Sequence, residues 1–233
     1  MSASEVALIL PAAGRGVRMR LGQPKPLVEL RNKPLILWTL EPFVELDLTR
    51  QTVIVVTEES VDRIKRVVEH HFGPRLSLRV VPGGLDRQGS VYNGLIALAP
   101  TTEIVIIHDA VRPFVDPQTV LLSIEAARAS GAATVAIPVV DTIIALNEDN
   151  TVRETLKREE LWSVQTPQTF LYDIILKAHE QAEKDGVRAT DDAELVRRLG
   201  LPVKVVTGSP DNIKITTPYD LLVAERNLEK REI

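Results

Sequence analysis

Two cations, Arg18 and Lys25, follow an apolar run, Val6-Ala7-Leu8-Ile9-Leu10, and a turn of small residues, Pro11-Ala12-Ala13-Gly14-Arg15-Gly16. Small residues and glycines after a buried strand let backbone approach a ligand closely, and the cations lie where phosphates would sit. The chemistry this suits is phosphoryl or nucleotidyl transfer. A dinucleotide fingerprint would need a third glycine where Met19 stands and an acidic residue about 20 positions on. A P-loop would join Gly-Lys to Ser or Thr at a helix start, whereas Lys25 stands between Pro24 and Pro26, which favour an extended loop. By itself the segment also reads as a glycine-rich turn with solvated cations.

Three further blocks add chemistry. In Pro82-Gly83-Gly84-Leu85-Asp86-Arg87-Gln88-Gly89-Ser90 a strand gives way to a helix beginning near Ser90, so free N–H groups and a hydroxyl can read a base or ribose. The plainer reading is a turn with Ser90 as helix cap. In His108-Asp109-Ala110-Val111-Arg112-Pro113, an aspartate after an apolar strand suits Mg²⁺ held against a triphosphate, and Arg112 suits an anionic co-substrate. The same pair also reads as a structural salt bridge, and His108 as a packed residue rather than a catalyst. Asp211-Asn212-Ile213-Lys214 offers a second carboxylate and a lysine.

These blocks need a scaffold that gathers them. Apolar runs at Val53 to Val56, Leu76 to Val81, Ile104 to Ile107 and Thr134 to Ile137 alternate with amphipathic stretches at Leu35 to Leu46, Val61 to His71, Ser90 to Leu98 and Pro117 to Ala129. Continuous apolar strands alternating with helices predict an α/β fold: a Rossmann-like, mainly parallel sheet with helices on both faces. Ligands on such sheets sit at the carboxyl ends of the strands. After Pro138 the alternation lapses. Residues 139–163 read as a protruding β-hairpin arm, Thr142 to Leu146 returning through Thr151 to Leu156, inserted in one nucleotidyltransferase-type domain spanning 1–233. An isolated hairpin is marginal in water, so it packs on a second subunit or folds back on its own. Helices are expected at Tyr172 to Lys184, Asp191 to Leu199 and from Pro218, with strands at Val203 to Val206 and Ile213 to Thr216.

The 233 residues are 44% hydrophobic and 26% charged, with formal net charge -4, which argues against a nucleic-acid partner. There is no cysteine, hence no disulfide and no Cys-based zinc site, and the four histidines form no metal-spaced set. No secretory signal and no membrane-spanning run is apparent, so a cytoplasmic protein is expected.

In this order the blocks resemble the 2-C-methyl-D-erythritol 4-phosphate cytidylyltransferase family over essentially the full chain. The resemblance also takes in Asp141-Thr142, Leu161-Trp162, Thr166-Pro167-Gln168 and Thr190-Asp191. Pro26 departs from a frequent glutamine and Leu85 from a frequent polar residue, which touches only contacts at those positions. The resemblance implies CTP as co-substrate, a homodimer through the arm, and Mg²⁺ on Asp109 and Asp211. It implies that Arg18, Lys25, Arg158 and Lys214 serve catalysis, and that Pro11, Ala12, Ala13, Gly14, Gly16, Gly84, Arg87, Ser90, Asp109 and Ala110 bind nucleotide. Arg112, Thr166, Thr190 and Lys214 would bind methylerythritol phosphate, with Thr142 and Arg158 reaching it from a partner's arm. Competing readings are a cytidylyltransferase for another polyol phosphate such as ribitol 5-phosphate, whose glycine loop tends to read Ala-Gly-Gly, and a non-catalytic nucleotide sensor.

Overall fold

The computed structural model describes residues 5–14 and 23–231. In chain order its strands are β1 (Val6–Pro11), β2 (Glu29–Leu30), β3 (Lys33–Pro34), β4 (Thr49–Val56), β5 (Leu78–Pro82), β6 (Ile104–Ile107), β7 (Ala132–Pro138), β8 (Ile144–Leu146), β9 (Val152–Thr155), β10 (Trp162–Leu171) and β11 (Lys204–Thr207). The helices are α1 (Leu35–Leu46), α2 (Val61–Phe72), α3 (Arg87–Ile96), α4 (Pro117–Ser130), α5 (Tyr172–Lys184), α6 (Asp192–Arg198) and α7 (Pro218–Arg231).

Seven strands form one sheet in the order β11-β7-β10-β6-β1-β4-β5. All neighbours pair in parallel except β10, which runs antiparallel to both β6 and β7. The period-2 alternation of strand side chains divides the core. Leu8, Leu10, Ile54 and Ile106 face α1, α2 and α4 through Leu40, Phe43, Val68 and Ile124, while Ala7, Ile9, Val55 and Ile107 face α3, α5 and α6 through Val91, Leu95, Ile175 and Val196. Both faces being covered explains why β6, Ile-Val-Ile-Ile, is apolar throughout and buried throughout. Each such side chain contributes about 1.5–3 kcal/mol on burial.

The expected bounds of α1 and α5 coincide with the helices observed. Three expectations are corrected. The helix expected from Ser90 starts at Arg87, because the Asp86 side chain accepts the Gly89 N–H at 2.7 Å and caps it, so Ser90 lies inside α3 rather than at its cap. Residues 213–216 form no strand; Ile215 is apolar because it packs with Val28, Phe114 and Leu228, and its N–H is satisfied by the Val111 carbonyl. The segment after Pro24 is not extended throughout, since Lys25–Leu27 makes a single 3₁₀ turn that tolerates Pro26 in its first positions.

The largest difference is β10. The hairpin itself is present, β8 pairing antiparallel with β9, but its return leg ends at Leu161, and Trp162 and Ser163, assigned above to the arm, already pair with β7. The ladder to β7 is interrupted between Val164 and Gln168, where Gln165, Thr166 and Pro167 bulge out, with a cis peptide bond at Thr166-Pro167. That bulge lies beside the carboxyl end of β6, since Gln168 pairs with Ile107.

Candidate active site

The carboxyl ends of β1, β4, β5 and β6 open on one edge of the sheet, and two adjoining cavities lie there. The larger, about 610 Å³, is lined from β1 by Pro11, Ala12, Ala13 and Gly14, from the first turn by Lys25 and Pro26, and from the loop after β4 by Thr57, Glu58 and Glu59. The loop after β5 adds Gly83, Gly84, Leu85, Asp86, Arg87 and Ser90, and the loop after β6 adds Asp109, Ala110 and Val111. The smaller, about 210 Å³, is lined by Arg112, Val164, Gln165, Thr166, Gln168, Thr190 and Asp191. Arg87, Asp109 and Lys214 line both.

The glycine loops are close-packed against one another. A Cβ on Gly83 would lie 2.6 Å from Ala13 Cβ and 2.8 Å from Ser90 Oγ, and one on Gly84 would lie 2.6 Å from the backbone of Gly89. Ser90 Oγ accepts the Gly84 N–H at 3.1 Å and donates to the Asp86 carbonyl at 2.8 Å, fixing the loop on the first turn of α3.

Asp109 is the electrostatic centre. Lys214 Nζ lies 2.8 Å from its Oδ2, Arg112 Nε 3.4 Å from the same oxygen, and Arg87 Nε 3.9 Å from Oδ1. Burial alone would raise this carboxyl; Lys214, then Arg87 and Arg112, outweigh it and hold it at about 2. The second cavity is thus rimmed by three cations around one buried anion.

His108 is fully buried and acts as a strut. Burial pushes it down to about 4, so it is neutral near pH 7. Its Nε2 faces the Arg112 carbonyl at 3.0 Å and therefore carries the hydrogen, which leaves Nδ1 to accept from Thr166 Oγ1 at 2.9 Å. Thr166 Oγ1 in turn accepts the Asp109 N–H at 3.1 Å. With its proton committed, this hydroxyl offers a ligand only a lone pair, which suits a polyol hydroxyl rather than a phosphate oxygen.

Other residues hold the walls; they stand within the sequence blocks singled out above, which assigned them no role. Asn212 is buried; its Nδ2 donates to Thr166 O at 2.8 Å and to Gln165 Oε1 at 3.2 Å, while its backbone carbonyl accepts from Arg112 Nη1 at 2.7 Å. Gln168 bridges β10 to the start of α6, accepting the Asp192 N–H at 3.0 Å and donating to Asp191 Oδ2 at 3.2 Å. Gln88 accepts the Ala189 N–H at 3.0 Å and donates to Val187 O at 3.1 Å, tying the segment that carries Thr190 to α3. A buried glutamine or asparagine needs such partners, and the polar sequence around Gln88, Gln168 and Asn212 carries no local signal that they are buried.

Of the anticipated site residues, Gly16 and Arg18 lie outside the described residues. Thr142 and Arg158 are exposed on the arm, and neither lines a cavity; Arg158 donates to the Val140 carbonyl at 3.1 Å. Asp211 is exposed and lines neither cavity, and the same loop carries Lys214 to Asp109. Among the described residues no cluster of three or more His, Asp or Glu side chains forms a metal site, and no helix is long and apolar enough to cross a membrane.

The family model for 2-C-methyl-D-erythritol 4-phosphate cytidylyltransferase matches residues 6–230. A protein of that name from Pelotomaculum thermopropionicum is 46% identical over 228 residues, covering 98% of this chain and 96% of its own, and one from Alkaliphilus oremlandii is 42% identical over 228 residues, covering 98% and 97%. Among solved structures, the 4-diphosphocytidyl-2C-methyl-D-erythritol synthase of Anaerococcus prevotii superposes with TM-score 0.87 at 30% identity, covering 97% of each chain. The 2-C-methyl-D-erythritol 4-phosphate cytidylyltransferase of Thermus thermophilus superposes with TM-score 0.79 at 34% identity, covering 97% of this chain and 99% of that one. A glycine-lined cavity joined through Asp109 and Lys214 to a cation-rimmed one, on a fold shared with these enzymes over nearly its whole length, places the chain in the 2-C-methyl-D-erythritol 4-phosphate cytidylyltransferase family.

Proposed function

We infer that the chain transfers CMP from CTP to 2-C-methyl-D-erythritol 4-phosphate, yielding 4-diphosphocytidyl-2-C-methyl-D-erythritol and pyrophosphate, a step of non-mevalonate isoprenoid precursor synthesis. The observation that carries this, beside the family match, is the sharing of Arg87, Asp109 and Lys214 by two cavities of unequal size. CTP takes the larger, with cytidine against Ala13, Gly84 and Ser90 and the triphosphate toward Lys25. The glycine contacts leave little room for a purine. Methylerythritol phosphate takes the smaller, with a hydroxyl on Thr166 and its phosphate among Arg112, Lys214 and Thr190.

The chemistry needs no covalent intermediate. A phosphate oxygen of the second substrate, already ionised at pH 7, attacks the α-phosphorus; the new P–O bond forms as the bond to the β-phosphate oxygen breaks, and pyrophosphate leaves. Lys25 and Lys214, with Arg18, neutralise the charge that develops, so catalysis is positioning plus electrostatic stabilisation. The Asp109 carboxylate fits a Mg²⁺ that arrives with the triphosphate, because that ion takes one or two carboxylates and otherwise phosphate and water oxygens. When bound there it would neutralise phosphate charge.

The arm supports a homodimer. Val140, Leu146 and Val152 expose 82%, 46% and 58% of their surface, and Trp162 and Val164 at its base are also exposed. A second copy would cover this apolar surface, and a two-fold exchange of arms would bring Thr142 and Arg158 to the partner's smaller cavity. Pyrophosphate release from CTP tests the reading: it should occur with methylerythritol phosphate and not with ribitol 5-phosphate, whereas release only with ribitol 5-phosphate, or with neither, would refute it.

A further inference from the structure

His179 and Asp192 lie outside both cavities, yet they end a chain of charged contacts that leads into them. Each is almost wholly buried, 2% and 1% exposed, His179 on α5 and Asp192 as the first residue of α6. The Asp192 carboxylate has both oxygens engaged: His179 Nε2 lies 3.1 Å from Oδ1, and Arg87 donates to Oδ2 at 2.8 Å. Its backbone is anchored too, by the N–H bond to Gln168 on β10. Arg87, whose side chain is 31% exposed, runs from this anchor to within 3.9 Å of Asp109 at the junction of the cavities. A long, rotamer-rich side chain is aimed only if part of its guanidinium is held, and here one nitrogen is tied to a carboxylate that cannot rotate.

We propose that Asp192, steadied by His179, is a positioning residue that fixes the Arg87 guanidinium where the two substrates' phosphates meet. The proposal rests on the division of the cavities given above. Among the described residues His179 Nδ1 is buried without a hydrogen-bond partner, so the ring's polar contact there is the one made to Asp192. Two donors, His179 and Arg87, converge on Asp192, and an amide in its place can accept from only one of them while its NH₂ opposes the other. Asp192→Asn therefore frees Arg87 or loosens its anchor with almost no change in volume.

The test is a double-mutant cycle with kcat, both KM values and thermal stability read for every variant. Arg87→Met removes the guanidinium and should lower kcat about 10- to 100-fold, within the range expected for losing one positioned cation. Asp192→Asn should lower kcat about 10-fold in the wild-type background with nucleotide KM changed by less than about 2-fold, but less than about 2-fold in the Arg87→Met background. His179→Leu should fall between, whereas His179→Gln, which keeps a donor near Nε2, should restore activity to within about 2-fold of wild type. Equal losses from Asp192→Asn in both backgrounds would overturn the proposal and leave Asp192 as part of the fold only. Should Asp192→Asn fail to fold, the His179→Leu and His179→Gln pair in both backgrounds decides by the same criterion. An unaffected Arg87→Met would overturn both the proposal and the place given to Arg87 at the junction; a damaged Arg87→Met beside unaffected Asp192 and His179 variants would overturn the positioning alone.

Discussion

The larger cavity is walled by backbone and small side chains at the ends of β1 and β5, whereas the smaller is walled by side chains drawn from β10, the 187–192 segment and the loop after β11. In the first, shape comes from close approach: Gly83 against Ala13, Gly84 against Gly89. In the second, shape comes from buried hydrogen bonds that run from Asn212, Gln168 and His108 to Thr166 and Asp191, which face the cavity. A backbone-walled pocket tolerates changes of side-chain chemistry and resists added volume, while a network-walled pocket does the opposite.

Of the three residues common to both cavities, Lys214 should be the most damaging to lose. Lys214→Ala removes a cation 2.8 Å from Asp109 and is expected to lower kcat by about 10²- to 10³-fold, with effects on both substrates, in steady-state assays. A loss confined to the KM of one substrate would break the idea of a shared wall. The arm supplies a second test. Arg158→Ala and Lys25→Ala subunits should each be inactive alone and recover about a quarter of wild-type activity when mixed one to one, because a two-fold exchange puts both lesions in one site and none in the other. No recovery in verified mixed dimers would return Arg158 to its own subunit.

Two single substitutions sharpen the contrast at about the 10-fold level. Gly83→Ala adds volume where there is none, so CTP affinity by calorimetry should weaken about 10-fold, a cost of about 1–3 kcal/mol, with methylerythritol phosphate affected less. Thr166→Val keeps volume but orphans the Asp109 N–H and His108 Nδ1, so the KM for methylerythritol phosphate should rise about 10-fold and that for CTP by less than about 2-fold. The opposite pattern would exchange the assignments.

The smallest effect concerns acid stability. His108 is held at about 4 in the folded protein against 6.5 ordinarily, so the unfolded chain binds the extra proton first and stability falls as pH drops from about 6.5 toward 4. Asp109, held at about 2 against 3.8, adds a further loss below about 3.8. Urea midpoints measured from pH 7 to 4 should decline in the wild type and decline less steeply in His108→Gln; identical slopes would show that His108 is not the group responsible.

The same division explains what was legible. Strands such as β6 and helices such as α1 announce themselves because their burial is continuous or periodic in sequence. The Pro11 to Gly14 turn is legible because its requirement for small residues is local. β10 was not: Gln165-Thr166-Pro167-Gln168 reads as a polar break, and these residues are buried in a strand only because Thr134, Asp191, Asp192 and Asn212, far apart in sequence, satisfy them. For the same reason Gln88, His179 and Asn212 looked ordinary. The course of the loop that carries Lys214 to Asp109 is held by Asn212 bonding to Thr166 and Arg112, which no local pattern records.

The most direct test of two cavities meeting on one electrostatic junction is a crystal structure of the dimer with the product, 4-diphosphocytidyl-2-C-methyl-D-erythritol. The account predicts cytidine in the glycine-lined cavity, the methylerythritol chain in the cavity bearing Thr166 and Arg112, and the diphosphate crossing between them within hydrogen-bonding distance of Lys214. Both ends of the product lying in the larger cavity, with the smaller one holding only solvent, would contradict it.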